Sequence, residues 1–295
     1  MFFRKNILIL FIVLTPLKIL NAQDIDSAKL KPIDISKLKF YYQLGLGPNF
    51  SSGIGSFSNY SESNDGTVTQ GNKLGSFGKG FDISFLLGKK VAKNFGIEME
   101  IGYLIGGKNK EENQFYVTSF PYNYNVKQEL TYNANTFRIN PKFVLEIPIA
   151  NTSAFYCKLG YMIGFGKLKI VAAEEAYYEN GQKGQGNYEW ERLGGIVSGS
   201  TTAFGFRFKV EKDVSFFIEV TGNSLHRKFE KSIMTQSIEN GQNTLATRSV
   251  YSKNIVYEDK STSTSSPDFT RPRSAPSFRS NYSSVGFKLG FVKHF

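Results

Sequence analysis

The sequence predicts an all-β fold, an eight-stranded antiparallel up-and-down transmembrane β-barrel with short periplasmic turns and long extracellular loops. Three observations predict it. Segments of about ten residues or more alternate apolar and polar side chains with period two, which marks strands with two unlike faces. Their connections are alternately long and short. Mean hydropathy is only -0.27, although 15% of residues are aromatic, with 27 Phe and 16 Tyr. A helical membrane protein carries long apolar runs, whereas a barrel's apolar band cancels in the average because it alternates.

Residues 1–22 read as a secretory signal peptide. Arg4 and Lys5 form the charged start, Ile7 to Leu14 the apolar core, and Ala22 the small residue before cleavage. A membrane-anchoring helix needs about 20 apolar residues, and Pro16 and Lys18 interrupt this run earlier. Residues 23–39 form a charged periplasmic lead-in segment without clear period. The barrel is expected over residues 40–295.

The first strand is expected at about Phe40 to Asn49, where Tyr42, Leu44 and Leu46 alternate with Tyr41, Gln43, Gly45 and Gly47. Ser51 to Ser76 is Ser/Gly/Asn-rich and reads as a long loop. The second strand, about Phe77 to Val91, sets Phe81, Ile83, Phe85 and Leu87 against Asp82, Ser84, Leu86 and Gly88. A tight turn at 92–94 leads to the third, where Phe95, Ile97, Met99, Ile101 and Tyr103 oppose Gly96, Glu98, Glu100 and Gly102. Lys108 to Leu130 reads as a second long loop. The fourth strand, Thr131 to Ile147, contains Pro141, which removes a ladder donor and is expected to mark a bulge. The fifth sets Phe155, Cys157, Leu159 and Tyr161 against Tyr156, Lys158 and Gly160. Leu168 to Leu193 is the third long connection, with a hairpin signal at Glu179-Asn180-Gly181-Gln182. The sixth strand (about Gly194 to Val210) and seventh (from Val214) flank the tight turn 211–213. His226 to Asn281 is the longest expected loop. It repeats the turn at Glu239 to Gln242, flanked by Ser232 to Ile238 and Thr244 to Tyr257 as a hairpin expected to rise off the barrel rim, and its Ser/Thr/Pro-rich part, Thr262 to Pro276, is expected to be mobile. The eighth strand, Tyr282 to Phe295, closes the chain.

The two rows differ in charge. The apolar row is nearly free of ions. The other carries Asp82, Glu98, Glu100, Glu146 and Glu219 with Arg138, Lys142, Lys158, Arg207, Lys209 and Lys288. Turning six bases toward lipid would cost on the order of 10–20 kcal/mol, so these eleven residues are expected to form a luminal charge network. Glu98 and Glu100 are expected to pair with Arg138, Lys142 or Arg207. A soluble lipocalin-like barrel would reverse the two faces. The loop asymmetry, the glycine-rich polar row and the aromatic chain end argue against it.

The last strand carries Phe287-x-Leu289-x-Phe291-x-Lys293-x-Phe295. With the hairpin pattern, this resembles the outer-membrane β-barrel family, small eight-stranded barrels similar to outer-membrane protein A. The resemblance covers roughly residues 40–295. It implies location in the outer membrane of a Gram-negative bacterium, with both termini periplasmic. It also implies that the barrel assembly machinery reads Phe287, Leu289, Phe291 and Phe295 as an assembly signal. Lys293 departs from the apolar preference there, at a rim where its amine reaches water.

The net charge of +11 falls to +8 without Arg4, Lys5 and Lys18 (11 − 3). The bases are dispersed rather than clustered, which suits outer-membrane lipid and lipopolysaccharide better than nucleic acid. Cys157 is the only cysteine. It leaves no intramolecular disulfide or cysteine metal cluster, and it reads as a small hydrophobe. No catalytic, cofactor or metal motif stands out. The expectation is a non-enzymatic, monomeric protein with a structural or surface-interaction role carried by its loops and an unknown surface ligand. One alternative is a narrow porin-like pore for small solutes or ions, suggested by inward glycines such as Gly78, Gly102, Gly160, Gly205 and Gly286, against which Tyr156, Phe217 and the long Arg/Lys chains of the same row would fill that space. Another is a lipid-modifying enzyme, for which Ser224, His226 and Glu230 are the only grouping.

Overall fold

The computed structural model describes residues 40–52, 56–64, 67–117, 123–259 and 268–295. The expected signal peptide and lead-in lie outside the described residues. The chain builds β1 (Phe40–Ser51), β2 (Ser56–Asn64), β3 (Thr67–Leu74), β4 (Gly80–Lys90), β5 (Phe95–Gly106) and β6 (Asn109–Val117). Two strands of more than 25 residues follow, β7 (Tyr124–Ala150) and β8 (Ser153–Tyr178). Then come β9 (Lys183–Leu193), β10 (Val197–Lys209), β11 (Val214–Lys228), β12 (Lys231–Glu239) and β13 (Gln242–Asn243). The one-turn helix α1 (Val250–Lys253), β14 (Asn254–Glu258), β15 (Arg273–Pro276), β16 (Arg279–Asn281) and β17 (Ser284–His294) complete the described chain.

Eight strands close into a ring in the order β1-β4-β5-β7-β8-β10-β11-β17 and back to β1, every pair antiparallel. These are the eight alternating segments read from the sequence. Tyr41 faces Gly88, and the paired row continues through Glu98, Lys142, Gly160, Thr201, Asn223 and Ser284. It returns to β1 at Ser51, ten residues further along (51 − 41). That stagger, at about 3.3 Å per residue over eight spacings of about 4.8 Å, inclines the strands by about 40°. Outward side chains such as Leu46, Ile83, Met99, Phe143, Leu159, Phe204, Ile218 and Leu289 are all more than 40% exposed. The apolar belt thins only on β10 and β11, where Ser198, Ser200, Thr202 and Ser224 face outward.

The expected small barrel with long loops describes only this ring. Among the described residues, fifteen strands join one sheet, and β2 and β3 form a separate hairpin within the expected loop 51–76. Among the described residues, 108–130 and 168–193 are largely strand and 226–281 about half strand. β7 and β8 stay paired past the ring up to Tyr124 opposite Tyr178. β6 adds to β7, and β9, β12, β14 and β15 add in turn beyond β8. The result is a sheet that rises from one side of the ring. Both Asn-Gly turns form where expected. Gly181 (φ 83°) turns β8 into β9, and Asn240 (φ 48°) with Gly241 (φ 82°) turns β12 into β13. The second hairpin is short, however, and β12 pairs further down with β14. Residues 273–276, placed in the expected mobile stretch, form β15, parallel to β14.

Pro141 makes no bulge. Ile139 opposite Ile163 and Lys142 opposite Gly160 keep one register on either side of it. The missing N–H removes one ladder bond without adding a residue. The irregularity lies instead at Pro148–Ala150.

Candidate functional site

The ring interior is built from the polar row, as alternation requires. Ten of the eleven expected charged residues point inward, nine of them 6% exposed or less, with Glu146 half-buried near the turn end. Lys209 is the exception. It lies exposed at the end of β10, next to the turn into β11, where water solvates it. Its departure leaves five acids facing five bases.

These charges form three groups. In the first, Lys288 Nζ lies 2.9 Å from Asp82 and 3.1 Å from Glu100, Lys142 lies 2.8 Å from Glu100, and Arg138 pairs with Asp82. In the second, Lys158 bridges Glu98 (3.1 Å) and Glu219 (3.0 Å) and donates to Gln43 Oε1 (3.2 Å), while Tyr41 OH donates to Glu98 at 2.6 Å. In the third, Glu146 receives Arg207 and, at 2.8 Å, Lys90. Glu100 takes Lys142 as expected. Glu98 takes Lys158 instead, although Lys142 lies opposite it in the ladder. Long side chains lean along their strands and pair diagonally across the lumen.

Aromatic rings fill the space beside two of the inward glycines. A Cβ on Gly88 would meet the Tyr41 ring at 2.3–2.6 Å, and one on Gly205 would meet Tyr156 at 2.5 Å. Tyr41, Tyr156 and Phe217 occupy the space the glycines vacate and are 1% exposed or less. The Arg207 guanidinium lies 5.2 Å from the Tyr41 ring centroid and 5.5 Å from Tyr156. Above the charges, Phe77, Tyr132, Met162, Leu168, Leu225 and Tyr282 join in an apolar cluster at the rim.

Where the sheet leaves the ring, β8 changes partner. It pairs with β10 up to Gly164 and with β9 from Leu168. Arg227, 2% exposed, bonds the carbonyls exposed by that switch. Its Nη2 donates to Gly166 O (2.7 Å) and Gly194 O (2.8 Å), and its Nε donates to Gly194 O (3.1 Å). Gly194 (φ 78°) and Gly195 (φ 65°) make the turn from β9 to β10 beside it.

Sequence reasoning missed Arg227 as a member of this interior, whereas Tyr41, Gln43, Tyr156 and Phe217 lie on the inward row where alternation put them. Their signal was the same parity that identified the charges, with glycine on neighbouring strands. The other expected residues are dispersed. Phe287, Leu289 and Phe291 face outward, and Phe295 stacks on Phe40 with centroids 6.3 Å apart. Ser224 and His226 lie on the outer face of β11, and Glu230 accepts the Gly195 N–H at 3.1 Å. Cys157 is half-buried. No protein-family model matches the chain, and no curated protein is recognisably similar to it in sequence.

Proposed function

We propose that the chain is a non-enzymatic outer-membrane β-barrel protein, in which the filled ring anchors a rigid sheet at the cell surface for interaction. One observation carries this reading, the reversal of polarity along β7 and β8. In the ring, β8 turns Leu159, Tyr161 and Phe165 outward and Lys158 inward. Beyond Gly166 it turns Lys167, Lys169 and Glu175 outward and Leu168, Ile170 and Ala172 inward. β7 does the same, from Phe137 and Phe143 outward to Lys127 and Glu129. A strand in one solvent has no reason to exchange its faces, whereas one passing from lipid to water must. Ion pairs Lys169–Glu189 (2.7 Å) and Lys167–Glu191 stand on the outer face beyond the reversal.

The dimensions agree. The nine steps from Tyr41 to Phe50, inclined by about 40°, climb roughly 23 Å, close to the apolar band of such barrels. Aromatic side chains ring both ends of the belt, with Phe40, Phe95 and Phe295 at the turn end and Phe50, Phe81, Tyr103 and Phe137 at the other. Phe295 N donates to Phe40 O, so both ends of the ring chain meet on the short-turn side, the periplasmic side in this reading. Phe287, Leu289, Phe291 and Phe295 then serve as the assembly signal, and lipid and lipopolysaccharide surround the belt. Every ring strand has two partners, so the belt itself offers no free strand edge to a second copy.

The test is gel mobility of unheated against boiled protein after refolding into detergent. A compact, faster band before boiling is expected, and a single band under both conditions would refute the barrel. Planar-bilayer recordings address the alternative of a pore. The filled interior supports silence, and steady conductance steps would overturn the anchor reading.

A further inference from the structure

The upper sheet carries a cleft of about 360 Å³ near its tip. Its floor is the β8–β9 pair where Glu174 faces Gly186 and Ala176 faces Gly184. A Cβ on Gly184 would meet Tyr178 and Ala176 at 3.5–3.6 Å, in ordinary contact, so a side chain can be added there without a clash. Tyr124 and Tyr178 stand together with ring centroids 4.9 Å apart, and Tyr188 lies over Gly186.

Two carboxylates border the same space, each engaged through one oxygen. Glu174 Oε1 accepts from Gln128 at 2.6 Å, and Glu239 Oε1 accepts from Tyr188 OH at 3.0 Å and from Arg248. Among the described residues, the second oxygen of each has no protein partner. Burial, then the bond to Glu239, pushes the Tyr188 phenol up to about 12, so it stays protonated.

This chemistry narrows the ligand. An extended peptide is disfavoured here, because β8 is paired on both sides along the floor and β9 pairs with β12 from Gly186 onward. An acyl chain is disfavoured because polar groups dominate the lining. Anions meet two carboxylates, and a strong cation meets Arg248 beside one of them. What fits is a neutral ring with an apolar C–H face for tyrosine and hydroxyls for the free carboxylate oxygens. We propose that this cleft binds a neutral saccharide.

The experiment uses the full chain refolded in detergent, titrated calorimetrically with malto-, cello-, chito-, xylo- and manno-oligosaccharides. At least one is expected to bind with Kd below about 1 mM. Gly184→Val fills the floor with a good strand former, and Glu174→Gln removes a charged acceptor. Each is expected to weaken binding about tenfold or more. Tyr116→Phe on the outer face of β6 is expected to leave binding unchanged. No binding by any probe, or undiminished binding by Gly184→Val, overturns the proposal. The same samples are checked for the heat-dependent band shift. A sample that shifts but does not bind counts against the cleft alone, and one that binds without shifting counts against the barrel alone.

Discussion

Lys158 and Lys169 lie on one strand, and their surroundings are opposite. Lys158 is 1% exposed, held inside the ring between Glu98 and Glu219. Lys169 stands outside, beyond the rim, in a half-exposed pair with Glu189. Their neighbours exchange roles in the same way. Leu159 faces out and Ile170 faces in. The ring and the sheet above it thus share a backbone ladder and, in the reading proposed above, differ in which solvent each face meets. Strand pairing fixes the geometry of both regions, and the solvent decides which side chains that geometry tolerates.

The comparison can be broken most sharply at the lysines. Lys158→Met strands two buried carboxylates and is expected to lose about 3–5 kcal/mol in urea unfolding from lipid vesicles. Lys169→Met is expected to change unfolding by no more than about 1 kcal/mol. Equal losses would erase the distinction between the regions. The outward faces come next. Leu159→Arg, near mid-belt, is expected to cost about 2–4 kcal/mol. Val171→Arg, on the same row beyond the rim, is expected to stay within about 0.5 kcal/mol. A tolerated Leu159→Arg would mean that the belt does not meet lipid.

The junction between the regions sharpens the comparison further. Arg227→Met leaves the carbonyls of Gly166 and Gly194 without their donor, at a cost of about 1–3 kcal/mol. Hydrogen exchange is expected to quicken around residues 194–197 while ring amides of β4 and β5 keep their protection. Uniform quickening would make Arg227 a global stabiliser rather than a junction clamp. The smallest effect concerns the edge of the sheet. Hydrogen bonds from Lys228, then Ser277, hold the Asp259 carboxyl below its ordinary range. A lowered folded pKa stabilises above the unfolded value and is lost as pH falls through the folded one. Wild type and Asp259→Asn should therefore differ slightly at neutral pH and converge below about pH 4 in thermal unfolding. A difference that grows on acidification would contradict the pairing.

Much of the ring was legible because its signal is simple. Leu44, Ile83, Met99, Leu159 and Leu289 alternate with polar partners, and a single turn separates many neighbouring strands. The interior charges were readable from the same parity. Most of the sheet above was not, because strands such as β6 carry polar residues on both faces and lose the contrast that alternation needs. Residues 109–117, Asn-Lys-Glu-Glu-Asn-Gln-Phe-Tyr-Val, have the composition of a loop. β6 forms because β7 offers it a ladder, a long-range fact that no local window contains. Glycine reads two ways for a related reason. Gly88 and Gly205 look like empty space along the chain and are filled by Tyr41 and Tyr156 from other strands.

By itself, then, the sequence determined the number of ring strands, their facing and the sign of each face. Those follow from period-two patterning, which is local. Only the tertiary structure decided how the charges pair, that the lumen is packed, and that β7 and β8 run on beyond the rim with their polarity exchanged. Diagonal pairing depends on tilt, packing depends on rings reaching across a closed cylinder, and strand extension depends on partners far away in the chain.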